Sequence, residues 1–156
     1  MEPAVRALLD AADDAEGFEV PANDWDVFPY KVYVQELLDI QHRLHDDLGI
    51  VVQRDGNVQD ASFLDDLRIL ENVPNQPNTY FDRLCIRFSN FGKLFTVWSS
   101  LDSIPSEYPL ADIVVRVEEF GWRYVPVEEL DEPYDGRNER LRAASASWWT
   151  RFFDYV

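Results

Sequence analysis

His42 and His45 are the only histidines in the chain, stand three residues apart, and are followed by Asp46 and Asp47. Two imidazoles one helical turn apart, with a carboxylate beside them, are a plausible start for a metal site. The sequence His42-Arg43-Leu44-His45 nevertheless lacks the glutamate and the i,i+4 spacing of HExxH, and it offers no third ligand. The pair therefore reads as surface histidines near a helix end, where the dipole favours a cation. A metal-dependent enzyme using His42, His45 and Asp46 is the alternative. Adjacent carboxylates at Asp13/Asp14, Asp65/Asp66, Glu118/Glu119 and Glu128/Glu129 can in principle divide acid and base roles. Such roles need burial to raise a carboxyl pKa, so these pairs are expected to be solvated. No Gly-x-Ser-x-Gly elbow occurs, and Cys85, the single cysteine, sits in an apolar strand pattern as a small buried hydrophobe. Six scattered glycines form no phosphate loop. No catalytic residue and no cofactor is assigned, and the chain leans away from being an enzyme.

Charge is more informative. Arg83 and Arg87 project from one face of a strand, about 13 Å apart, with Arg68 a candidate neighbour. They form either an anion patch or cross-strand ion pairs with Asp66 or Asp82. The overall balance is opposite in sign, a formal net charge of −16. Between Asp10 and Asp26 lie seven carboxylates, Asp10, Asp13, Asp14, Glu16, Glu19, Asp24 and Asp26, with no lysine or arginine. Trp25, with Phe28 and Tyr30, is either an aromatic anchor for a partner or a staple to the core. Residues 1–48 carry net −9, residues 49–100 net −1 and residues 101–156 net −6. The second acidic region is Glu128, Glu129, Asp131, Glu132 and Asp135. If the two regions meet in space they form a docking face for a basic protein; if they lie apart, solubility explains them. Nucleic acid and anionic membrane are disfavoured as direct partners, since both select basic surfaces.

The elements that position these residues follow from periodicity. Ala4, Val5, Leu8, Leu9 and Ala12 predict a short amphipathic helix over 3–15. Tyr30, Tyr33, Val34, Leu37, Gln41 and Leu44 predict a second, closed by Gly49. Residues 50–54 before Asp55-Gly56 read as a strand entering a hairpin with the chain from Val58. Segment 61–71 fits helix or strand and is assigned to strand. Leu84, Ile86 and Phe88 alternate with Arg83, Cys85 and Arg87, then Ser89-Asn90-Phe91-Gly92 turns the chain into a partner strand from Lys93 to Ser99. Pro109 to Phe120 reads as a third helix ending at Gly121. Trp122 to Val125, before Pro126, suits an edge strand. Leu141, Ala144, Ser145, Trp148, Trp149, Phe152, Phe153 and Val156 line up as one C-terminal helical stripe.

At 156 residues, with 46% hydrophobic and 14% aromatic content, the chain suits one domain with its own core. The expected class is α+β: a mainly antiparallel sheet of four or five strands packed by N-terminal, central and C-terminal helices. The first residues lack signal-peptide order and no apolar run approaches about 18 residues, so a cytoplasmic location is expected. The oligomeric state is expected to be a monomer or small homo-oligomer. The ending, Tyr134-Asp135-Gly136 then Ser147-Trp148-Trp149-Thr150-Arg151-Phe152-Phe153-Asp154-Tyr155, is similar to those of small bacterial domains. In size, acidity and lack of catalytic motifs the chain resembles bacterial immunity proteins of polymorphic toxin systems. That resemblance implies a non-enzymatic protein that inhibits a basic toxin such as a nuclease. It assigns no individual residue.

Overall fold

The computed structural model describes residues 1–13, 30–56, 65–72, 76, 79–89, 91–99, 104 and 108–154. Asp14, Glu16, Glu19, Asp24, Trp25, Asp26 and Phe28 lie outside this set, as does the expected hairpin chain at Val58.

Two helices lead the chain, α1 (Pro3–Ala12) and α2 (Tyr30–Leu48). Proline at its start suits α1, because the first turn has no internal acceptor for the missing N–H. Gly49, at φ +66, ends α2 in the left-handed conformation that favours glycine. The strands β1 (Val51–Asp55), β2 (Asp65–Asn72), β3 (Tyr80–Phe88) and β4 (Leu94–Trp98) follow. They pair antiparallel in sequence order. Helix α3 (Leu110–Glu118) then carries the chain across to β5 (Arg123–Tyr124), parallel to β4 at the sheet's other edge. Parallel neighbours need such a crossover. The fold is α+β.

One face of the sheet is apolar because residues of one parity are. Leu67, Ile69, Leu84, Ile86, Phe88, Phe95 and Val97 pack with Tyr33, Leu37, Ile40 and Leu44 of α2 and Ile113 and Val117 of α3. Trp122 closes this core, edge-on to Phe88 and Tyr33. A second core joins Val5 and Leu9 of α1 to Phe91, Leu94, Val125, Leu130, Leu141, Trp148, Phe152 and Phe153. Strand β4 lies between the two, so Leu94 to Val97 are buried whichever way they point.

The C-terminal stripe is not one helix. It divides into α4 (Glu139–Ala143) and α5 (Trp148–Phe153). Ser145 breaks the backbone at φ +54, and Ser147 caps α5 by accepting from the Thr150 N–H at 3.2 Å. The carbonyls of Leu130 and Glu132 accept from Trp149 and Trp148 N–H at 2.8 and 3.1 Å, while Tyr134 N–H donates to Ala146 at 2.8 Å. This pairing with residues 130–134 holds the two short helices apart. Ala144 and Ser145, expected on the buried stripe, are exposed.

Candidate functional site

Helix α1 lies against residues 129–137, so the root of the acidic run meets the second acidic region. The Met1 amine stands 3.3 Å from Glu132 and 3.5 Å from Glu129, and Glu129 also accepts from the Glu2 N–H at 2.8 Å. Arg6 bridges Asp10, at 3.0 Å, and Asp135, at 2.7 Å, with its guanidinium over the Trp148 ring. Hydrogen bonding from Arg6 holds the Asp135 carboxyl below its ordinary value. Hydrogen bonding to Glu132 raises the Met1 amine. Glu128, Asp131, Glu132, Asp135 and Glu139 are exposed, and Glu129 is half-buried. Residues 1–13 and 127–139 together hold nine acids against two arginines.

Asp13 departs from this pattern. Its side chain is fully buried: Arg151 donates to Oδ1 at 2.8 Å, while Tyr134 OH and Arg137 N–H donate to Oδ2 at 2.7 and 2.6 Å. Burial first, and then the bond to Asp13, push the Tyr134 hydroxyl up to about 12. The carboxylate of Asp13 is therefore engaged inside the fold and not displayed on the acidic surface, because the extended residue that caps α1 turns inward onto the C-terminal core.

On the sheet's second face, residues of the other parity bring charge together. Arg87 stands directly opposite Asp66 in the β2–β3 register and grips it with two bonds of 2.8 Å. It also donates to the Phe153 carbonyl at 3.0 Å, beside the rings of Trp98 and Trp149. Asp82 pairs with Arg68, which also holds Asp55 at 2.6 Å, and Arg83 pairs with Glu71 at 3.1 Å. A shift of register between Ile69 and Leu70 sets Leu84 opposite Ile69 but Asp82 opposite Leu70. This bulge gives β3 one extra residue there, which puts Asp82 and Arg83 together on this face. The result is a cavity of about 150 Å³ lined by Arg68, Asp82, Arg83, Arg87, Cys85 and Trp98, with Asp66 and Leu84 completing it. Burial, and then the nearby Asp66 carboxylate, push the Cys85 thiol far up, so it remains a protonated, inert part of the lining.

Asp65 and Asp66, expected to be solvated neighbours, are both about 1% exposed. Strand alternation sends them to opposite faces, where Arg54 meets Asp65 at 2.6 Å and Arg87 meets Asp66. Burial raises the Asp65 carboxyl, and Arg54 offsets only part of that rise. Opposite faces rule out a shared substrate for this pair.

His42, His45 and Asp46 are exposed on α2, with His45 Nδ1 3.0 Å from the Ile50 carbonyl. Asp47 is held by Arg116 at 2.6 Å and Arg43 at 3.3 Å. Among the described residues no three of histidine, cysteine, aspartate and glutamate come together to hold a metal. No helix of the described residues is long and apolar enough to cross a membrane. The cavity itself was not legible in the sequence, although the alternation Arg83, Cys85, Arg87 marked its wall. The bulge that completes it depends on a strand pairing no local pattern encodes. Comparison with known proteins finds no matching family model, no matching curated protein and no matching solved structure.

Proposed function

We propose that this protein is a non-enzymatic, cytoplasmic binding protein whose acidic face docks onto a basic protein, in the manner of an immunity protein neutralising a toxic nuclease. The observation that supports this reading is the meeting of α1 with residues 129–137, which brings Glu2 and Asp10 beside Glu129 and Asp135, far away in sequence. A continuous negative surface accelerates encounter with a positive one, and complementary potentials act mainly on the association rate. Basic nucleases display the required charge because they bind phosphate backbones.

The test is the product of a neighbouring reading frame, assayed for toxicity with and without this chain, together with the salt dependence of their association. The paired reversal Glu128→Lys and Asp131→Lys alters two exposed side chains of the second acidic segment. Association is expected to slow by roughly tenfold or more in this variant and as salt rises from low to physiological strength. Association with a basic partner that is indifferent both to salt and to these reversals would overturn the electrostatic docking.

A further inference from the structure

The cavity on the sheet's second face is built from residues separate from the acidic surface, and its chemistry is different. We propose that it binds a small aromatic carboxylate.

Size sets the first limit. A volume of about 150 Å³ is roughly what one benzene ring fills in a protein cavity. Cofactor-sized and drug-sized ligands need sites of roughly 300–1,000 Å³. One ring with one small substituent is therefore the scale of the occupant. The protonated Cys85 thiol and the Trp98 indole supply apolar surface for the ring.

Charge sets the second. Three guanidinium groups, Arg68, Arg83 and Arg87, line the cavity against two carboxylates, Asp66 and Asp82. Asp66 is buried at 1% exposure and clasped by Arg87 through both oxygens, so it has little to offer an incoming cation. The acids that hold Arg68 and Arg83 are of another kind. Asp55, Asp82 and Glu71 have side chains 31%, 43% and 47% exposed. Ion pairs so open to water are weakly held. A carboxylate entering the cavity takes the place of one of these acids on a guanidinium, exchanging one charge-assisted bond for another. The displaced acid then swings into solvent. A cationic occupant would face three lining guanidinium groups and would have to compete with Arg68 for Asp82, the one lining acid that is open to water.

Specificity follows from the same wall. Arg87 stands 5.6 and 5.7 Å from the Trp98 and Trp149 ring centroids, and those two rings meet edge to face. A planar aromatic acid can pack edge to face on the Trp98 indole as Trp149 does, a contact that a branched aliphatic acid of equal volume does not offer.

The experiment uses the folded full-length chain and three isosteric probes, benzoate, benzamide and benzamidine, titrated at constant ionic strength. The Trp98 indole N–H, buried without a hydrogen-bond partner among the described residues, is the reporter in ¹H–¹⁵N spectra, assigned through Trp98→Phe. Benzoate is expected to shift this resonance saturably. Benzamide should bind about tenfold more weakly and benzamidine should leave the resonance unmoved. Arg68→Gln, at a partly exposed side chain, should weaken benzoate roughly fivefold while the rest of the spectrum stays native. Arg83→Gln provides the same reading if the first variant fails to fold. A tetrapeptide ending in phenylalanine separates a free acid from a chain terminus, and is expected to bind more weakly than benzoate. The proposal is overturned by a shift that never saturates, by benzamide or benzamidine binding as well as benzoate, by affinity unchanged in both arginine variants, or by tighter binding of the peptide. None of these outcomes bears on the acidic docking face, whose own test uses different residues.

Discussion

Asp13 belongs by sequence to the acidic run, yet in the fold it is the buried half of an ion pair in which both side chains are 0% exposed. Three donors reach its two oxygens, and the Arg151 guanidinium lies over the Phe91 ring at 4.1 Å. Removing one member of such a pair strands a charge away from water. Asp13→Asn is expected to destabilise the protein by roughly 3–5 kcal/mol, seen as a lower urea midpoint at an unchanged slope. The apolar double substitution Asp13→Leu/Arg151→Met should recover much of that loss. Asp65 is a second case, with the sign of its pH dependence fixed by its raised carboxyl pKa. A group that holds its proton more tightly when folded takes up a proton on folding. Its contribution is therefore full below the unfolded value of about 3.9 and is lost as pH rises through the folded value. Relative to Asp65→Asn, the wild-type protein should gain stability as pH falls through that window. A difference independent of pH would refute the assignment.

At the scale of elements, the β3–β4 turn is where α1 and the sheet depend on one another. Gly92 sits at φ +63, and a Cβ there would run into the Cβ of Ala12 at the end of α1. Gly92→Ala therefore combines left-handed strain with a collision, and should cost about 1–3 kcal/mol. Adding Ala12→Gly removes the closest collision but not the strain, so it should rescue thermal stability only in part, beyond the cost of Ala12→Gly alone. The break between α4 and α5 is enforced by a cap and by strand-like pairing. Ser147→Ala should cost about 1 kcal/mol by removing the acceptor for the Thr150 N–H, with faster amide hydrogen exchange confined to the C-terminal segment.

For the molecule as a whole, a net charge of −16 repels itself in the compact state. Salt screens that repulsion as it screens attraction to a basic partner. The isolated protein should be stabilised by added salt by on the order of 1 kcal/mol, or about 2–4 °C in Tm at this chain length. Its association with a basic partner should weaken under the same salt. Opposite responses in one titration separate charge that merely solubilises from charge that docks; parallel responses would remove the docking reading. The two faces of the sheet divide labour similarly: one joins the helices in an apolar core, and the other gathers arginine, acid and tryptophan around a cavity.

Local pattern in the sequence determined most of the elements. The 3.6-residue spacing from Tyr30 to Leu48 and the two-residue alternation through Leu84, Ile86 and Phe88 are each recorded in a single stretch of chain, and both became the elements they describe. Arg87 opposite Asp66 was legible as one of two readings, because alternation alone puts the arginine on the polar face. Tertiary structure decided what depends on residues distant in sequence. It buried Asp13 against a residue 138 positions away, hid Asp65 and Asp66 on opposite faces, split the C-terminal stripe and closed a cavity with a bulge. A charge reads the same in sequence whether it faces water or a guanidinium, since its partner is chosen by packing. The seven carboxylates from Asp10 to Asp26 thus established that the chain is acidic, and the packing of α1 decided that Asp10 lies near Asp135, with Arg6 between them.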